Sequence, residues 1–256
     1  TTVIKAKKSR DHSELLFKFL KLPIKISKKK NYDLIKINGK KKIKPFNYKI
    51  PSDISSSAFF IVLTALSNNS KLKIKNVNIN PTRVGILKIL KAMGVHIKVK
   101  NVKTYNGEKI ADLFIKSHKT FKPINCPTRL NSAAIDEFLL IFLVAARANG
   151  ISYFKNLSEL NQKESPRLIW GSKILNKMGI KTKLTNDSIK IFGNPNLKIN
   201  KNIVIKKFLK DHRVFMASVV AALTFGGSWK ILDKNSINTS FPTFISKIKI
   251  LGAKIK

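Results

Sequence analysis

Residues 136–150 read DEFLLIFLVAARANG, and they contain the unit on which the fold is built. The two acids are followed by a helix, Phe138–Ala148, that is almost wholly apolar and is therefore expected to be buried rather than amphipathic. Asn149 and Gly150 form a turn into a strand, Ile151–Phe154. An acid, a buried helix and a strand thus define a pattern to look for elsewhere in the chain.

The same pattern begins at two other positions. Asp53 precedes the apolar helix Ser55–Leu66, and Asp211 precedes the apolar helix Val214–Phe225. In each copy a proline then starts a second helix, 28, 30 and 31 residues after the acid (53 to 81, 136 to 166 and 211 to 242), and a glycine ends it. Three buried helices with an acid at each N-terminus predict one domain with quasi-threefold symmetry.

The repeats also predict how the chain is divided. Residues 1–50 are expected to be the terminal part of a first domain, and residues 51–256 a second domain with repeats at 53–116, 132–192 and 210–256. The third repeat is truncated, since it lacks the last strand of the other two, and we expect something outside this chain to complete it. The first segment is predicted to contain a strand, a helix, two strands and a turn: Thr2–Ile4, His12–Leu20, Ile24–Ile26, Leu34–Ile37 and Asn38-Gly39-Lys40.

The net charge of +38 would ordinarily indicate nucleic acid or an anionic membrane as a partner. The lysines are spread over strands, turns and helices, and abundant lysine, isoleucine and asparagine are typical of AT-rich coding. We therefore interpret most lysines as a solvated surface and do not expect nucleic-acid binding, although polyanion binding stays open. Only six of the 51 basic residues are arginine, whose planar fork suits bidentate contacts: Arg10, Arg83, Arg129, Arg147, Arg167 and Arg213.

Several other classes of protein are disfavoured. A single cysteine, Cys126, excludes a disulfide framework and fits a reducing compartment, so we expect a cytoplasmic protein. The longest apolar run is about half of what a transmembrane helix requires. The four histidines show no metal-ligand spacing. Since the chain starts at Thr1 without a methionine, we expect it to be a fragment.

Residues 159–167, ELNQKESPR, concentrate reactive side chains at a predicted helix start. Ser165 is predicted to be the N-cap and Pro166 the first helical residue. Lys163 and Arg167 would add positive charge to backbone N–H groups that already favour anions, with Glu164 beside them as an acid or base. The alternative is a capped surface helix with ordinary flanking charges.

Short motifs along the whole chain match one family. They are SRDH at 9–12, PSDISSSAFF at 51–60, NPTRVG at 80–85, IDE at 135–137, KESPR at 163–167, DHR at 211–213 and TSFP at 239–242. In sequence and order they resemble the motifs of the EPSP synthase (3-phosphoshikimate 1-carboxyvinyltransferase) family, and TSFP is similar to the form of its class II branch. No single motif identifies the family, whereas the ordered set is specific.

The resemblance implies a two-domain α/β protein in which each domain is an inside-out α/β barrel of three βαβαββ repeats. The first domain would be mostly missing here, and the family's N-terminal strand would complete the third repeat. The implied reaction is enolpyruvyl (carboxyvinyl) transfer from phosphoenolpyruvate to the 5-hydroxyl of shikimate 3-phosphate, giving EPSP and phosphate in chorismate and aromatic amino acid biosynthesis. No metal or organic cofactor is implied, and the full-length protein is expected to be a monomer.

The resemblance also assigns catalytic roles. Asp136 would act as the base for the 5-hydroxyl, Glu164 as the proton donor, and Lys163 would lie near both substrates. The alternative for Asp136 is a helix N-cap formed with Glu137.

Binding roles follow in the same way. Arg167 and Arg213, with Lys163, would hold phosphoenolpyruvate. Ser9 and Arg10, with Asp136 and Lys163, would contact shikimate 3-phosphate. The alternative for the two helix-terminus arginines is a salt bridge with Glu164 or Asp211. Departures from the family pattern occur at Ser52, where glycine is usual and strain is possible, at Asn161, where arginine is usual, and at Pro166, where aspartate is usual.

Two other functions stay open. The first is a nucleic-acid-binding protein on the related RNA 3′-phosphate cyclase-like fold, which the net charge favours and the KESPR and DHR motifs do not. The second is an inactive fragment, because the family's N-terminal substrate-binding motifs have no match in this sequence. We expect residues 1–256 alone to lack activity.

Overall fold

The first segment of the chain forms an antiparallel sheet that carries one helix. In the computed structural model, which describes residues 1–39, 41–206 and 210–255, the strand order is β1-β3-β2. Lys40 of the predicted turn and Lys256 of the predicted third repeat lie outside the described residues. The predicted order of elements is confirmed, with longer strands: β1 Thr2–Lys7, α1 His12–Phe19, β2 Ile24–Lys28 and β3 Tyr32–Ile37.

The first and second repeats each contain a three-stranded antiparallel sheet, with the orders β4-β6-β5 and β7-β9-β8. The elements of the first repeat are α2 Ile54–Leu66, β4 Lys71–Asn78, α3 Gly85–Ala92, β5 His96–Tyr105 and β6 Glu108–Lys116. Those of the second are α4 Asn131–Ala134, α5 Phe138–Ala146, β7 Ile151–Phe154, α6 Arg167–Met178, β8 Thr182–Leu184 and β9 Ile189–Phe192.

The third repeat has a two-stranded parallel sheet in its described part, formed by β10 and β11. The sequence pattern did not predict β10. Corresponding parallel bridges, between Ser52 and Val77 and between Asn125 and Tyr153, occur in the first two repeats. Each buried helix is therefore a crossover between parallel neighbours. The elements are β10 Ile199–Ile205, α7 His212–Phe225, β11 Gly226–Ile231 and α8 Phe244–Ile250.

The core lies where the sequence predicted it, around three helices. Helices α2, α5 and α7 contact one another, and all nine residues of α5 are buried. Such a helix has no polar face for solvent, so it is stable only when other elements surround it. The helices accordingly lie inside and the sheets outside, which confirms the inside-out α/β architecture. The division into domains at residues 50 and 51 stays a prediction.

The second helix of each repeat begins after the proline at which the sequence predicted its start. Pro81 lies in a turn, and α3 begins only at Gly85, because the Asn80 side chain accepts a hydrogen bond from the Thr82 N–H (2.8 Å) and holds the chain in a non-helical conformation. Pro166 immediately precedes α6, and Pro242 lies two residues before α8. The predicted helix-ending glycines are confirmed by their positive φ: Gly94 (+90°), Gly179 (+91°) and Gly252 (+97°).

Ser52 replaces the family's glycine without backbone strain. It is absent from the described residues with positive φ, and its hydroxyl donates to the Lys75 carbonyl at 3.1 Å. A serine is therefore accommodated at this turn, and the strain considered from the sequence does not occur.

Gly85, at the start of α3, is required by close packing rather than by its φ. A Cβ atom at this position would lie 2.6 Å from the backbone carbon of Ala133. We expect Gly85→Ala to lower the free energy of unfolding by about 1–3 kcal/mol, because backbone must shift to admit the methyl group. Urea unfolding measures the change.

Gly39→Ala is the matched control, since no atom lies within 4 Å of a Cβ at that position. Its free energy of unfolding should stay within about 0.5 kcal/mol of the unsubstituted chain. Equal unfolding midpoints for the two variants would contradict the packing argument.

Candidate active site

The N-termini of the three buried helices meet at one end of the core. Asp53 caps α2 by accepting from the Ser56 N–H (2.7 Å), and Asp211 caps α7 by accepting from the Arg213 N–H (2.9 Å). At the start of α2, the Ser55 hydroxyl donates to Glu137, which directly precedes α5. The three acidic helix starts predicted from the repeat are therefore neighbours in space.

Asp136 differs from the other two acids because it caps nothing. It lies in the 3-10 turn Ile135–Glu137, and Glu137, not Asp136, is the N-cap residue of α5. Among the described residues, the Asp136 carboxylate accepts a hydrogen bond only from Arg10. Its carboxylate instead faces four cations. It accepts a hydrogen bond from Arg10, and it lies 3.8 Å from Lys163 Nζ, 3.6 Å from Arg167 Nη1 and 4.0 Å from Arg213 Nη2. The N-cap alternative for Asp136 is therefore wrong.

These cations decide the charge of Asp136. Burial alone would raise the pKa of its carboxyl, but Arg213, Arg10 and Lys163 outweigh burial and hold the pKa below its ordinary value. Asp136 is consequently an ionised carboxylate at neutral pH. An ionised carboxylate can accept a proton, and here it is surrounded by groups that attract anions.

Arg167 is almost completely buried and is already paired. Its Nε donates to Asp211 Oδ2 (2.9 Å), its Nη2 lies 3.3 Å from Asp211 Oδ1, and Nη2 also donates to Glu164. Its side chain is 1% exposed, and that of Asp211 is 0% exposed. The salt-bridge alternative for Arg167 is thus observed, and only Nη1, beside Asp136, has no hydrogen bond among the described residues.

The pairing with Arg167 lowers the pKa of Asp211. Burial raises the pKa of its carboxyl, but the hydrogen bond and charge of Arg167 and the hydroxyl of Ser165 outweigh burial and lower it. The Ser165 hydroxyl donates to Asp211 Oδ2 at 2.7 Å, so the predicted N-cap role of Ser165 is wrong. Asn161 takes that role: its Oδ1 accepts from the N–H groups of Leu168 (3.2 Å) and Ile169 (3.4 Å).

Arg213 connects the starts of α5 and α7. Its Nη1 donates to the backbone carbonyl of Asp136 (3.1 Å) and lies 3.7 Å from Glu137 Oε1. Burial raises the pKa of Glu137, although Arg213 and the Ser55 hydroxyl oppose the rise. Arg213 keeps 16% of its side-chain surface exposed and is more accessible than Arg167.

Ser9, Arg10 and Lys163 line a common cavity of about 480 Å³. Lys163 Nζ is held by Glu159 at 2.9 Å in addition to its longer contact with Asp136. Glu164 is more peripheral, with 51% of its side chain exposed. The structure therefore brings together Arg10, Asp136, Lys163, Arg167 and Arg213, with Ser9 and Glu164 at the edges of the cluster.

The segment that carries Ser9 and Arg10 is held in place by polar contacts with the first repeat. Asn80 Nδ2 donates to Asp11 Oδ1 (2.8 Å) and to Glu108 Oε2 (3.2 Å), and Glu108 in turn contacts His12 Nδ1. These side chains come from three distant parts of the sequence, and they fix the loop between β1 and α1 against the β6 strand. This explains how a residue near the start of the chain reaches Asp136.

Sequence reasoning missed some residues of the site. Glu159 was within the motif stretch but received no role, although its i,i+4 spacing to Lys163 was a usable signal. Asn161 was seen only as a departure from the family. Arg129 and Lys8, which line the same cavity, were also unassigned.

Other kinds of site find no support in the described part of the chain. There, no group of three or more His, Cys, Asp or Glu residues is arranged to hold a metal ion, and no helix is long and apolar enough to cross a bilayer. Burial raises the pKa of the Cys126 thiol to about 11, so this thiol is protonated at neutral pH and is a poor nucleophile.

Comparisons with known proteins agree with the motifs. A family model described as EPSP synthase (3-phosphoshikimate 1-carboxyvinyltransferase) matches residues 1–248. The 3-phosphoshikimate 1-carboxyvinyltransferase of Thermodesulfovibrio yellowstonii is 36% identical over 252 residues, which are 98% of this chain and 57% of that protein. The protein of the same name from Zymomonas mobilis is 35% identical over 259 residues, covering 100% of this chain and 57% of the relative.

Solved structures lead to the same fold. An EPSP synthase from Acinetobacter baumannii superposes with a TM-score of 0.90 at 34% identity and covers 100% of this chain and 57% of that one. The enolpyruvyl transferase NikO from Streptomyces tendae shares the fold, with a TM-score of 0.74 at 16% identity. The match covers 100% of this chain and 56% of the NikO chain. The chain spans a little over half the length of the relatives it matches.

The buried pair of Asp211 with Arg167 can be tested by its effect on stability. We expect Asp211→Asn to lower the free energy of unfolding by about 3–5 kcal/mol at pH 7, because it leaves a buried guanidinium without its counter-charge. Asp53→Asn is the matched control: asparagine also caps helices, and the ion pair of Asp53 with Arg83 (3.3 Å) is half exposed, so the loss should stay below about 1 kcal/mol.

The same pair of variants predicts a pH dependence. Because the folded state lowers the pKa of Asp211 below its unfolded value of about 3.9, its contribution is complete well above pH 4 and is lost as the pH falls through the folded-state pKa. Unfolding measured at pH 7 and pH 3 should show the difference between wild type and Asp211→Asn shrinking in acid. A constant difference would contradict this assignment.

Proposed function

The chain belongs to the EPSP synthase (3-phosphoshikimate 1-carboxyvinyltransferase) family, and we propose that it carries the cationic half of that enzyme's active site. The reaction would transfer the enolpyruvyl group of phosphoenolpyruvate to the 5-hydroxyl of shikimate 3-phosphate and release phosphate, in chorismate biosynthesis. The observation that carries the proposal is the Asp136 carboxylate enclosed by Arg10, Lys163, Arg167 and Arg213.

The chemistry requires what this cluster contains. A hydroxyl oxygen must lose its proton to attack the enol carbon while the methylene carbon gains one. The methyl group so formed must then lose a proton as the bond between the former enol carbon and the phosphate oxygen breaks, which restores the double bond and releases phosphate. Both substrates are anions that need cations. Asp136 is the base and the contact for the 5-hydroxyl in this proposal. Substrate anions would share the positive charge now directed at Asp136, so its basicity would rise as each substrate binds.

The cations would divide the two substrates between them. Ser9, Arg10 and Lys163 share the cavity proposed for shikimate 3-phosphate. Lys163 would exchange its contact with Glu159 for a substrate oxygen. Arg213, which is partly exposed, would bind phosphoenolpyruvate with Lys163.

Arg167 would have a smaller share in binding than the family pattern suggests. Asp211 and Glu164 occupy its Nε and Nη2, so it would offer phosphoenolpyruvate only the two N–H donors of Nη1 and not the two-nitrogen edge of the fork. Its second task would be to hold Glu164, the proposed proton donor. The same carboxylate would be placed to take a proton back from the methyl group when phosphate leaves, so the proposed reaction needs no net proton at this residue.

The remaining parts of the proposal concern the whole protein. The relatives extend well beyond the matched region, so we expect the complete enzyme to need further substrate contacts from outside residues 1–256. We propose a cytoplasmic monomer that uses no metal or organic cofactor. Nucleic acid has no place in this mechanism, and the lysine-rich surface would serve as solvated charge.

Activity of the chain with and without the rest of the enzyme tests the proposal. We expect purified residues 1–256 to release no phosphate from phosphoenolpyruvate and shikimate 3-phosphate, and we expect fusion to the family's N-terminal segment to restore release. Turnover by residues 1–256 alone would contradict the incomplete-site view. A fused protein that folds, binds neither substrate and releases no phosphate would contradict the proposed function.

Variants of the active fusion test the individual roles. Asp136→Asn and Glu164→Gln should each lower kcat by about 10²–10⁴-fold, because each removes a group that moves a proton in the reaction. Lys177→Gln is the control: Lys177 is exposed in the last turn of α6, at the opposite end of that helix from Arg167. It should leave kcat within about twofold.

A further inference from the structure

Arg129 is set apart from the other five arginines. Each of the others has a protein partner. Arg10 pairs with Asp136, Arg83 contacts Asp53 and Ser55, and Arg167 and Arg213 are paired as described. Arg147 donates to the Thr224 carbonyl and lies over the Phe225 ring. Among the described residues, Arg129 has no hydrogen bond or ion pair with another side chain. In a chain that uses lysine at most basic positions, an arginine without a protein partner is a candidate for binding a ligand.

The position of Arg129 indicates where that ligand would lie. Arg129 is exposed, and it lines the cavity of about 480 Å³ that also contains Ser9, Arg10 and Lys163. It belongs to the 3-10 turn Thr128–Leu130, which leads through α4 to Asp136. The turn that carries Arg129 is thus connected to the catalytic turn through one short helix.

The charges of this cavity are unbalanced. Its lining contains four cations, Lys8, Arg10, Arg129 and Lys163, and one acid, Glu159. Arg10 is paired with Asp136 and Lys163 with Glu159, whereas Lys8 and Arg129 have no acidic partner among the described residues. Like charges that share a cavity repel one another, and a bound anion removes this cost.

We propose that Arg129 is an additional substrate-binding residue that contacts an oxyanion group of shikimate 3-phosphate. The inference rests on the proposed function and adds a residue to it. Because the guanidinium has a planar fork of N–H donors, it fits either the phosphate or the carboxylate of this substrate. Lys8 contributes charge to the same cavity without a fixed contact geometry.

Equilibrium binding to the active fusion distinguishes these roles. Shikimate 3-phosphate, shikimate and inorganic phosphate are titrated by calorimetry into the unsubstituted protein and into Arg129→Gln, Arg129→Lys, Arg10→Gln and Lys177→Gln. We expect Arg129→Gln to weaken shikimate 3-phosphate binding about tenfold, as for the loss of one charge-assisted hydrogen bond. Arg129→Lys should recover part of the loss, and Lys177→Gln should change binding less than twofold.

The probes identify the group that Arg129 contacts. A tenfold loss for shikimate 3-phosphate and inorganic phosphate, but not for shikimate, assigns Arg129 to the phosphate. A loss for shikimate and shikimate 3-phosphate, but not for inorganic phosphate, assigns it to the carboxylate. In both cases the KM for shikimate 3-phosphate should rise while the KM for phosphoenolpyruvate stays within about twofold, a split that a general loss of folding would not produce.

Other outcomes overturn the proposal in recognisable ways. If Arg129→Gln binds shikimate 3-phosphate as tightly as Lys177→Gln does while Arg10→Gln is weakened, Arg129 is a solvated surface residue and the proposed function stands. If the unsubstituted protein binds inorganic phosphate through Arg129 but does not bind shikimate 3-phosphate selectively, the cavity is an anion site and the proposed substrate is wrong. If the unsubstituted protein binds none of the three probes, both proposals fail.

Discussion

The buried pair of Arg167 with Asp211 is the interaction on which the site depends. It joins the start of α6 to the start of α7 in surroundings that contain almost no solvent, where an isolated charge would be far more costly than a paired one. Once Asp211 holds Arg167, the remaining edge of the guanidinium lies beside Asp136. A belt of charged and polar contacts then runs across all three helix starts: Asp53, Arg83, Ser55, Glu137, Arg213, Asp136, Arg167 and Asp211. One set of contacts thus aligns the three repeats and also brings Arg167 and Arg213 beside Asp136.

Much of this architecture was predictable because its signals are local. The run in α5 is apolar for nine consecutive residues, and such a helix must be buried whatever surrounds it. One error was local, because the Asn80 side chain holds Thr82 out of the predicted helix, and the others arose where distant residues compete with local preference. Ser165 is a good N-cap by type, but Asp211, 46 positions away, binds its hydroxyl, and Asn161 caps α6 instead. Strand β10 was missed because its pairing with β11 spans a buried helix. The family motifs contain the residues that the structure brings together, whereas the ion pairs between them depend on contacts across the whole chain.

The arrangement couples binding to reactivity. In the unliganded site the cations lower the basicity of Asp136, since they stabilise its charged form. In the proposed function, anionic substrates would compete with Asp136 for the same cations, so each bound anion would make the carboxylate a better proton acceptor. Glu159 pairs with Lys163 Nζ at 2.9 Å, and in the proposed function a substrate oxygen would replace it. Such competition would favour proton transfer when the proposed site is filled and suppress it when the site is empty.

The polar anchors on both sides of Lys163 and Glu164 have a consequence for the thermodynamics of ligand capture. The Asn161 side chain fixes the backbone on one side, and the Ser165 hydroxyl fixes it on the other. Only a short stretch of main chain lies between these two anchors, so little backbone entropy remains to be lost when a ligand arrives. If the loop binds substrate as proposed, binding would therefore fix side-chain rotamers rather than close the loop. The side chains of Lys163 and Glu164 can thus change rotamer while their backbone stays in place.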